Sequence, residues 1–292
     1  MTLAIDLLCT KLNSGSKTFN VNLCKYITRK ELKFETIIYI TKDLYNYLHS
    51  ELSENKKITY IIKSNFLSIS FFRILWLQLI LPIDLKIKRI HTLYSPMNIS
   101  PLMLKLFNIK NVLTLHSNLP WLYFDKMPGS YFRKKITRFL MKSSILNADR
   151  LIVNSNYAFE EIKKILGLEK EKISVSYLGL SEFYLNNDEG KSLENFKYND
   201  DYILSIASCA KYHNLLNLLK AFKVLRDTYK IKLKFVLVTQ ILDKEYFQEI
   251  NEYMIKNDLK DQILFFNDLD PIFLKKVYKY SKLYIFSSYC EV

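Results

Sequence analysis

The sequence predicts an α/β protein built from two doubly wound parallel sheets. Short, mostly apolar runs alternate with helical stretches along the 292 residues. Most of these runs are almost continuously apolar, which is typical of strands buried on both faces of a parallel sheet. A polar stretch at residues 181–201 interrupts the alternation and predicts a linker between two α/β units.

The first unit is predicted to span residues 1–180 and the second residues 202–292. The strands predicted for the first unit are Leu3–Leu8, Phe34–Ile40, Lys88–Leu93, Asn111–Leu115, Arg150–Asn154 and Ile173–Tyr177. Those predicted for the second are Tyr202–Ala207, Leu233–Val238, Ile263–Phe266 and Leu283–Ser287. Helical stretches between them complete the βαβ units of a doubly wound fold.

Two helices have clear boundaries in the sequence. The first is predicted over Asn156–Leu166, with Ser155 as its N-cap and Gly167 as its stop. The second is predicted over Leu215–Tyr229, where apolar residues recur at helical spacing.

The segment Asn65–Pro82 is almost wholly apolar and about as long as a membrane-spanning helix. Arg73 lies at its centre and Pro82 at its end, and an arginine at mid-bilayer costs roughly 3 kcal/mol on insertion scales. A helix in the core or at an interface is therefore favoured. A helix lying in a membrane surface, beside the basic residues Lys86, Lys88 and Arg89, stays open.

Charge is distributed unevenly along the chain. Residues 1–150 carry 23 Lys and Arg against 9 Asp and Glu, and the remaining residues carry no net charge. The excess of +14 fits either a solvated lysine-rich surface or an anionic partner such as a membrane surface. A nucleic-acid partner is not expected, because no recognised binding motif accompanies the charge.

The four cysteines are far apart, and the first residues lack the pattern of a signal peptide. A cytoplasmic protein is the simplest inference. The positive charge of residues 1–150 leaves open a location at the inner face of the cytoplasmic membrane. Glycine-rich dinucleotide and P-loop motifs are missing from the sequence, and no metal-ligand spacing is present. The pair Asp268 and Asp270 is interpreted as a polar loop and helix N-cap rather than a cation site.

Two sites are predicted at strand ends of the first unit. Gly15 and Ser16 follow the first strand, where backbone amides can approach a phosphate at a helix N-terminus. His116 follows the strand Asn111–Leu115, at the sheet edge where open α/β sheets bind ligands. A histidine there suits hydrogen bonding to a sugar or proton transfer, although a structural role is the common alternative.

A longer series carries a resemblance to a known family. The stretches 148–156 and 172–180, which read ADRLIVNSN and KISVSYLGL, frame the predicted helix Asn156–Leu166. With RILWLQ at 73–78 and YSPMNISP at 94–101, they resemble retaining GT-B glycosyltransferases of family 4. The resemblance implies two Rossmann-like domains, with the acceptor at the first and a nucleotide sugar at the second.

The resemblance also implies roles for individual residues. Gly15 and Ser16 would lie near the donor phosphates, and His116 beside the transferred sugar. Ser208, Lys211 and His213 would contact the donor in the second domain. His213 stands where the family has a lysine that binds the donor diphosphate, and Lys211 is the cation that could replace it. Ala207 and Thr239 replace two family glycines, so altered diphosphate binding is expected.

The segment Phe286–Val292 resembles the opening of a family motif with two carboxylates. Glu291 would be the first carboxylate, contacting the donor sugar and stabilising positive charge at the reacting carbon. The second carboxylate would lie beyond residue 292, so the second domain is expected to be incomplete.

The leading hypothesis is a retaining, metal-independent hexosyltransferase of cell-surface polysaccharide synthesis, such as capsule or lipopolysaccharide. Its donor would be a GDP- or UDP-linked sugar and its acceptor a glycan or lipid-linked glycan, with no further cofactor. The alternative is a truncated, inactive relative that binds without catalysing transfer, or a gene fragment.

Overall fold

The computed structural model describes residues 2–10, 15–185, 201–267 and 269–290. The chain forms two compact units, residues 1–118 with 135–179 and residues 119–134 with 180–291. The described residues of each unit contain one parallel sheet, so the predicted α/β class is confirmed. The predicted boundaries around a 181–201 linker stay a prediction, because residues 186–200 lie outside the described part.

The described residues of the first unit form a seven-stranded sheet. Its strands are β1 Thr2–Asp6, β2 Glu35–Thr41, β3 Ile58–Lys63, β4 Thr92–Ser95, β5 Lys110–Leu115, β6 Arg150–Val153 and β7 Ile173–Val175. They lie in the order β3-β2-β1-β4-β5-β6-β7, and every neighbouring pair is parallel. The order reverses between β1 and β4, and ligands of open α/β sheets bind beyond the strand ends at such a point.

Helices connect these strands along both faces of the sheet. They are α1 Gly15–Thr28, α2 Lys42–Leu48, α3 Ser70–Leu75, α4 Leu81–Ile87, α6 Tyr131–Asn147 and α7 Asn156–Leu166. Two short helices, α5 Leu119–Leu122 and α8 Glu182–Leu185, belong to the second unit. Adjacent residues of β1 pack into different cores: Ala4 packs with residues of α4, and Ile5 packs with residues of α1 and α2. The sheet is therefore covered on both faces, which explains its continuous apolar strands.

The apolar segment after β3 is a composite helix. A 3₁₀ turn at Asn65–Ser68 leads into α3, a π-helical turn at Trp76–Ile80 follows, and α4 continues to Ile87. Trp76 is buried in the core, as predicted for a core helix. The helical run continues past Pro82, where the apolar segment ends. Pro82 lies in the first turn of α4, where its missing N–H leaves no helical hydrogen bond unmade.

The described residues of the second unit form a four-stranded sheet in the order β10-β9-β8-β11. Its strands are β8 Tyr202–Ile206, β9 Lys234–Val238, β10 Ile263–Phe266 and β11 Leu283–Tyr284. Its helices are α9 Leu215–Tyr229, α10 Lys244–Lys256 and α11 Pro271–Tyr280. Apolar clusters cover both faces, one centred on α9 and α10 and the other beside α11.

The predicted helix boundaries and caps are confirmed. The helix α7 spans the predicted residues, the Ser155 hydroxyl accepts from the Ala158 N–H, and Gly167 closes the helix with a φ of 62°. Asp270 caps α11 by accepting from the N–H groups of Ile272 and Phe273, as the N-cap interpretation expects. Asp268 lies outside the described residues.

One strand was missed and the bounds of another were wrong. The strand β3, with the sequence ITYIIK, was not predicted, although its β-branched and aromatic residues are typical of a strand. It lies at the edge of the sheet. The predicted strand Lys88–Leu93 begins only at Thr92, because α4 extends to Ile87 and the backbone turns at Arg89 with a φ of 55°.

Candidate functional site

His116 lies at the carboxyl end of β5, one strand away from the point where the strand order reverses. Its backbone N–H donates to the Asn98 side-chain oxygen at 2.7 Å. Asn98 has a φ of 42° and also donates its own N–H to the Thr114 carbonyl. The loop after β4 is therefore fixed against the end of β5.

The His116 ring is held by both nitrogens. Nε2 donates to the Pro96 carbonyl at 2.7 Å, which assigns the proton to Nε2 in the neutral ring. Nδ1 then accepts from the Asn154 amide at 3.0 Å. The Phe19 ring packs edge-on against the imidazole with centroids 4.7 Å apart. Three other chain segments thus fix the orientation of this side chain.

Burial lowers the pKa of His116, and the hydrogen bond to Pro96 offsets part of that shift. The imidazole is therefore neutral near neutral pH, with neither nitrogen pointing to open solvent. A proton transfer by His116 would require one of its two hydrogen bonds to break. A neutral positioning group is the chemistry that this geometry favours, and the catalytic role of His116 stays a prediction.

Asn118 follows two residues later and is fully buried. Among the described residues, neither its amide nitrogen nor its side-chain oxygen has a hydrogen-bond partner. A buried polar side chain with both ends unsatisfied is costly, so Asn118 is a further candidate site residue beside His116. Asn98, Asn118 and Asn154 were not among the predicted site residues, although all three lie in or beside the strand-end motifs.

The predicted phosphate loop is only partly described. The helix α1 begins at Gly15, so the helix N-terminus is where the sequence places it. Residues 11–14 lie outside the described part, as do the side-chain surroundings of Ser16. The roles of Gly15 and Ser16 in donor binding stay predictions.

In the second unit, the predicted residues Ser208, Lys211 and His213 share the loop between β8 and α9. The His213 Nδ1 donates to the Ser208 carbonyl at 2.7 Å and lies 3.0 Å from the Ser208 hydroxyl. His213 is only 8% exposed, whereas Lys211 is exposed. Lys211 is therefore better placed than His213 to meet an anionic ligand at this loop.

The segment after β11 is hydrogen-bonded along the same loop. The Ser287 hydroxyl donates to the His213 carbonyl at 2.8 Å, and the Tyr289 N–H donates to the Tyr212 carbonyl at 2.8 Å. The Ser288 hydroxyl also reaches the Tyr212 carbonyl, at 3.3 Å. Two segments that lie more than 70 residues apart in sequence are thus brought together at the end of the second sheet.

The Tyr289 ring also makes a cation–π contact with a lysine of residues 119–134, which belong to the second compact unit. The Lys126 ammonium lies 3.2 Å from the centroid of the Tyr289 ring, and the Tyr123 ring lies 5.9 Å from it. The Asn217 amide donates to the Tyr289 hydroxyl at 3.3 Å. Tyr289 therefore anchors the segment that leads to residue 291.

Glu291 lies outside the described residues, so its predicted contact with a donor sugar stays a prediction. The two positions that replace family glycines are both buried. Ala207 is 9% exposed and Thr239 is 3% exposed. Within the described part of the chain, the Thr239 hydroxyl has no hydrogen-bond partner.

No group of three or more His, Cys, Asp or Glu side chains among the described residues is arranged to hold a metal ion. None of the helices formed by these residues combines the length and apolar character that crossing a bilayer requires.

Comparison with known proteins gives two family matches. Residues 14–181 match the model of Glycosyltransferase Family 4, and residues 187–292 match that of Glycosyl transferases group 1. The O-antigen chain mannosyltransferase RfbU of Salmonella typhimurium is 24% identical over 179 residues, which is 61% of this chain. That alignment spans only 46% of RfbU, less than half of its length.

Solved structures show the same fold at low identity. HepE of Anabaena, in complex with UDP and glucose, aligns with a TM-score of 0.67 and 12% identity, covering 99% of this chain and 74% of HepE. A sucrose-phosphate synthase from Thermosynechococcus elongatus aligns with a TM-score of 0.66 and 13% identity, covering 99% of this chain and 76% of the synthase.

The first family match covers more than half of the chain and includes His116 and the stretch 148–180 on which the resemblance rests. The two parallel sheets agree with the GT-B architecture of the aligned structures. This protein therefore belongs to glycosyltransferase family 4 and has the two-domain, Rossmann-like GT-B fold.

Proposed function

We propose that this protein is a retaining glycosyltransferase that moves a hexose from a nucleotide sugar to a glycan or lipid-linked acceptor. The proposed setting is the synthesis of a cell-surface polysaccharide. Family membership supports the reaction class, and the similarity to an O-antigen chain mannosyltransferase supports the setting. The complexes of HepE with UDP, glucose and UDP-glucose support a nucleotide-sugar donor.

The observation that carries the proposal is the loop between β8 and α9. It places the exposed cation Lys211 four residues before the first residue of α9, a helix of 15 residues. A helix N-terminus favours an anion, and a lysine beside it adds a full positive charge. We propose that this loop binds the donor diphosphate without a metal ion and without any further cofactor.

The role of His213 in the proposal differs from that of Lys211. Its Nδ1 is committed to Ser208 and its carbonyl to Ser287, so the ring holds the loop in shape. Where the family pattern has a cation, this protein has a buried histidine. Lys211 then carries most of the attraction for the diphosphate.

In the proposed reaction the acceptor hydroxyl attacks the anomeric carbon on the face that the nucleotide leaves. The bond from that carbon to the diphosphate oxygen breaks, the bond to the acceptor oxygen forms, and the hydroxyl proton goes to the departing nucleoside diphosphate. His116 would position the sugar as a neutral group, and Glu291 would stabilise positive charge at the anomeric carbon. The substitution of His213 for a lysine favours one competing function, a protein that binds the donor without transferring the sugar.

Thermal-shift screening against UDP- and GDP-linked hexoses tests donor binding by this chain. We expect stabilisation by one class, and its absence with both classes would contradict the proposal. For a donor that binds, release of nucleoside diphosphate with glycan acceptors separates transfer from binding alone. NMR of the product then gives the anomeric configuration, and inversion would refute the retaining mechanism.

A further inference from the structure

The composite helix after β3 carries a row of large apolar side chains that point away from the core. They recur at four-residue intervals and are each between 43% and 73% exposed: Phe71, Leu75, Leu79, Ile83 and Ile87. The opposite side of the same segment is the core side, where Trp76, Leu77, Leu81 and Leu85 are buried. The row runs for about 24 Å at 1.5 Å per residue. A surface helix ordinarily turns polar residues to solvent, so this row requires an explanation.

A second exposed apolar row lies on α6. Ile136, Phe139 and Leu146 are 40%, 63% and 43% exposed, while Leu140, Met141 and Ile145 of the same helix are buried. At about 100° per residue, the three exposed side chains lie within a sector of roughly 80°. The helix thus has apolar residues on two sides, of which only one faces the core.

The two rows belong to the same layer of the first unit. The Ser100 carbonyl accepts from Gln78 in the π-helical turn at 3.1 Å and from Ser144 in α6 at 3.2 Å. One backbone carbonyl therefore joins the two helical segments. The right-handed crossovers of a parallel sheet also place both segments on the same face, since each connects strands in the same direction across it.

Cations accompany these rows. The helix α6 contains five Lys and Arg residues and no acidic residue. Six exposed cations of the first unit lie on or directly after the two segments: Lys86, Lys88, Arg89, Lys135, Arg138 and Lys142. The one carboxylate between residues 70 and 89, Asp84, is paired with Lys88 and hydrogen-bonded to Tyr39. An exposed surface that joins apolar rows to clustered cations matches the two components of an anionic bilayer surface.

We propose that the outer face of α3, the π-helical turn, α4 and α6 binds the surface of a membrane that contains anionic lipid. The apolar side chains would enter the headgroup region while the lysines and arginines meet lipid phosphates. A second copy of this chain fits less well, because a two-fold contact would bring identical cationic faces together. The proposed surface is separate from the donor loop, so it depends on neither donor binding nor transfer.

Co-sedimentation tests the proposal with vesicles of phosphatidylcholine alone and of equal parts phosphatidylcholine and phosphatidylglycerol. We expect binding to the anionic vesicles that weakens as salt is added. The double variant Lys86→Glu/Lys142→Glu should bind at least tenfold more weakly, since one cation near such a surface contributes roughly fivefold in affinity. The double variant Leu79→Ser/Ile83→Ser should also lose binding, because it removes the insertion of apolar side chains.

The matched controls lie on α1 and α2, which pack into the other core of the same sheet. Tyr26→Ser and Lys42→Glu change an exposed aromatic residue and an exposed cation there, and both should bind like the unchanged protein. Equal binding to neutral and anionic vesicles, or equal losses in the controls, would overturn the proposal. Failure of the unchanged protein to bind any vesicle would also overturn the proposal. So would self-association of a protein that binds no vesicles, if Leu79→Ser/Ile83→Ser abolishes that self-association. Donor-induced thermal shifts should be unchanged in all four variants, so failure here is distinct from failure of the proposed transfer.

Discussion

Asp6 and Arg73 form a buried ion pair at the carboxyl end of β1, and replacing Arg73 by methionine tests how much it stabilises the first unit. The side chains are 2% and 14% exposed, and Asp6 Oδ2 lies 4.0 Å from Arg73 Nη2. Among the described residues, Nε and Nη2 of Arg73 are buried without a hydrogen-bond partner. The variant Arg73→Met keeps most of the volume and leaves the Asp6 carboxylate buried without its cation.

Removing one member of a buried pair typically costs 3–5 kcal/mol of unfolding free energy. The 4.0 Å separation is longer than a hydrogen bond, so we expect a loss near the lower limit, about 3 kcal/mol. Urea unfolding at neutral pH measures it. The exposed Arg89 gives the matched control Arg89→Met, which should lie within about 0.5 kcal/mol of the unchanged protein.

The loss should depend on pH in a defined direction. Burial raises the pKa of Asp6 in the folded protein, and Arg73 opposes that shift. Without Arg73 the pKa rises further, so the native variant binds a proton at higher pH than the unfolded chain does. The cost of Arg73→Met should therefore be fully present above that raised pKa and should shrink as the pH falls through it.

The double variant Asp6→Asn/Arg73→Met completes the test. An asparagine retains an oxygen that can accept from the Leu8 N–H, as Asp6 does at 3.0 Å. We expect the double variant to be more stable than Arg73→Met alone, because no buried charge is left unpaired. A cost for Arg73→Met below about 1 kcal/mol, or one that does not change in acid, would refute the argument.

Three further predictions concern the candidate site. Lys211→Ala should weaken donor binding roughly tenfold or more in calorimetry, since hydrogen bonds to charged groups contribute about 1.5–3 kcal/mol. The control is Lys220→Ala, which replaces an exposed lysine further along α9 and should leave donor binding unchanged. Equal effects of the two substitutions would contradict the role of Lys211. Thr239→Val should raise the unfolding free energy by about 1 kcal/mol, because it removes a buried, unpartnered hydroxyl, and a loss of stability would reveal an unrecognised partner. Burial lowers the pKa of His116, so on acidification the unfolded chain takes up a proton at higher pH than the folded protein does. The free energy of unfolding should therefore fall below about pH 6.5. Urea unfolding of His116→Gln should show a smaller fall, and a fall equal to that of the unchanged protein would contradict the lowered pKa.

The elements that the sequence predicted well are those stabilised by neighbours along the chain. Ser155 caps a helix three residues away, and Gly167 closes it where only a residue tolerant of positive φ fits without strain. Such interactions can be recognised in a short window of sequence. The edge strand β3 had the same kind of local pattern and was nevertheless missed.

The site was predictable in part. The sequence placed His116 at the end of a strand, and the structure confirms that position. It did not show that Pro96 and Asn154, which lie 20 and 38 residues away, occupy both ring nitrogens. Likewise it treated His213 as a donor ligand beside Lys211, whereas the fold buries the histidine and exposes the lysine.

The sequence by itself determined the α/β class, the order of most elements, the capped helices and the family resemblance, because periodicity and motifs are properties of neighbouring residues. Only the tertiary structure decided which chemical groups are satisfied and which are exposed. It paired Arg73 with Asp6 across 67 positions of sequence and turned the row from Phe71 to Ile87 away from the core. Burial, pKa and unpaired polar atoms depend on groups from distant segments, and these meet only when the sheet and its helices pack.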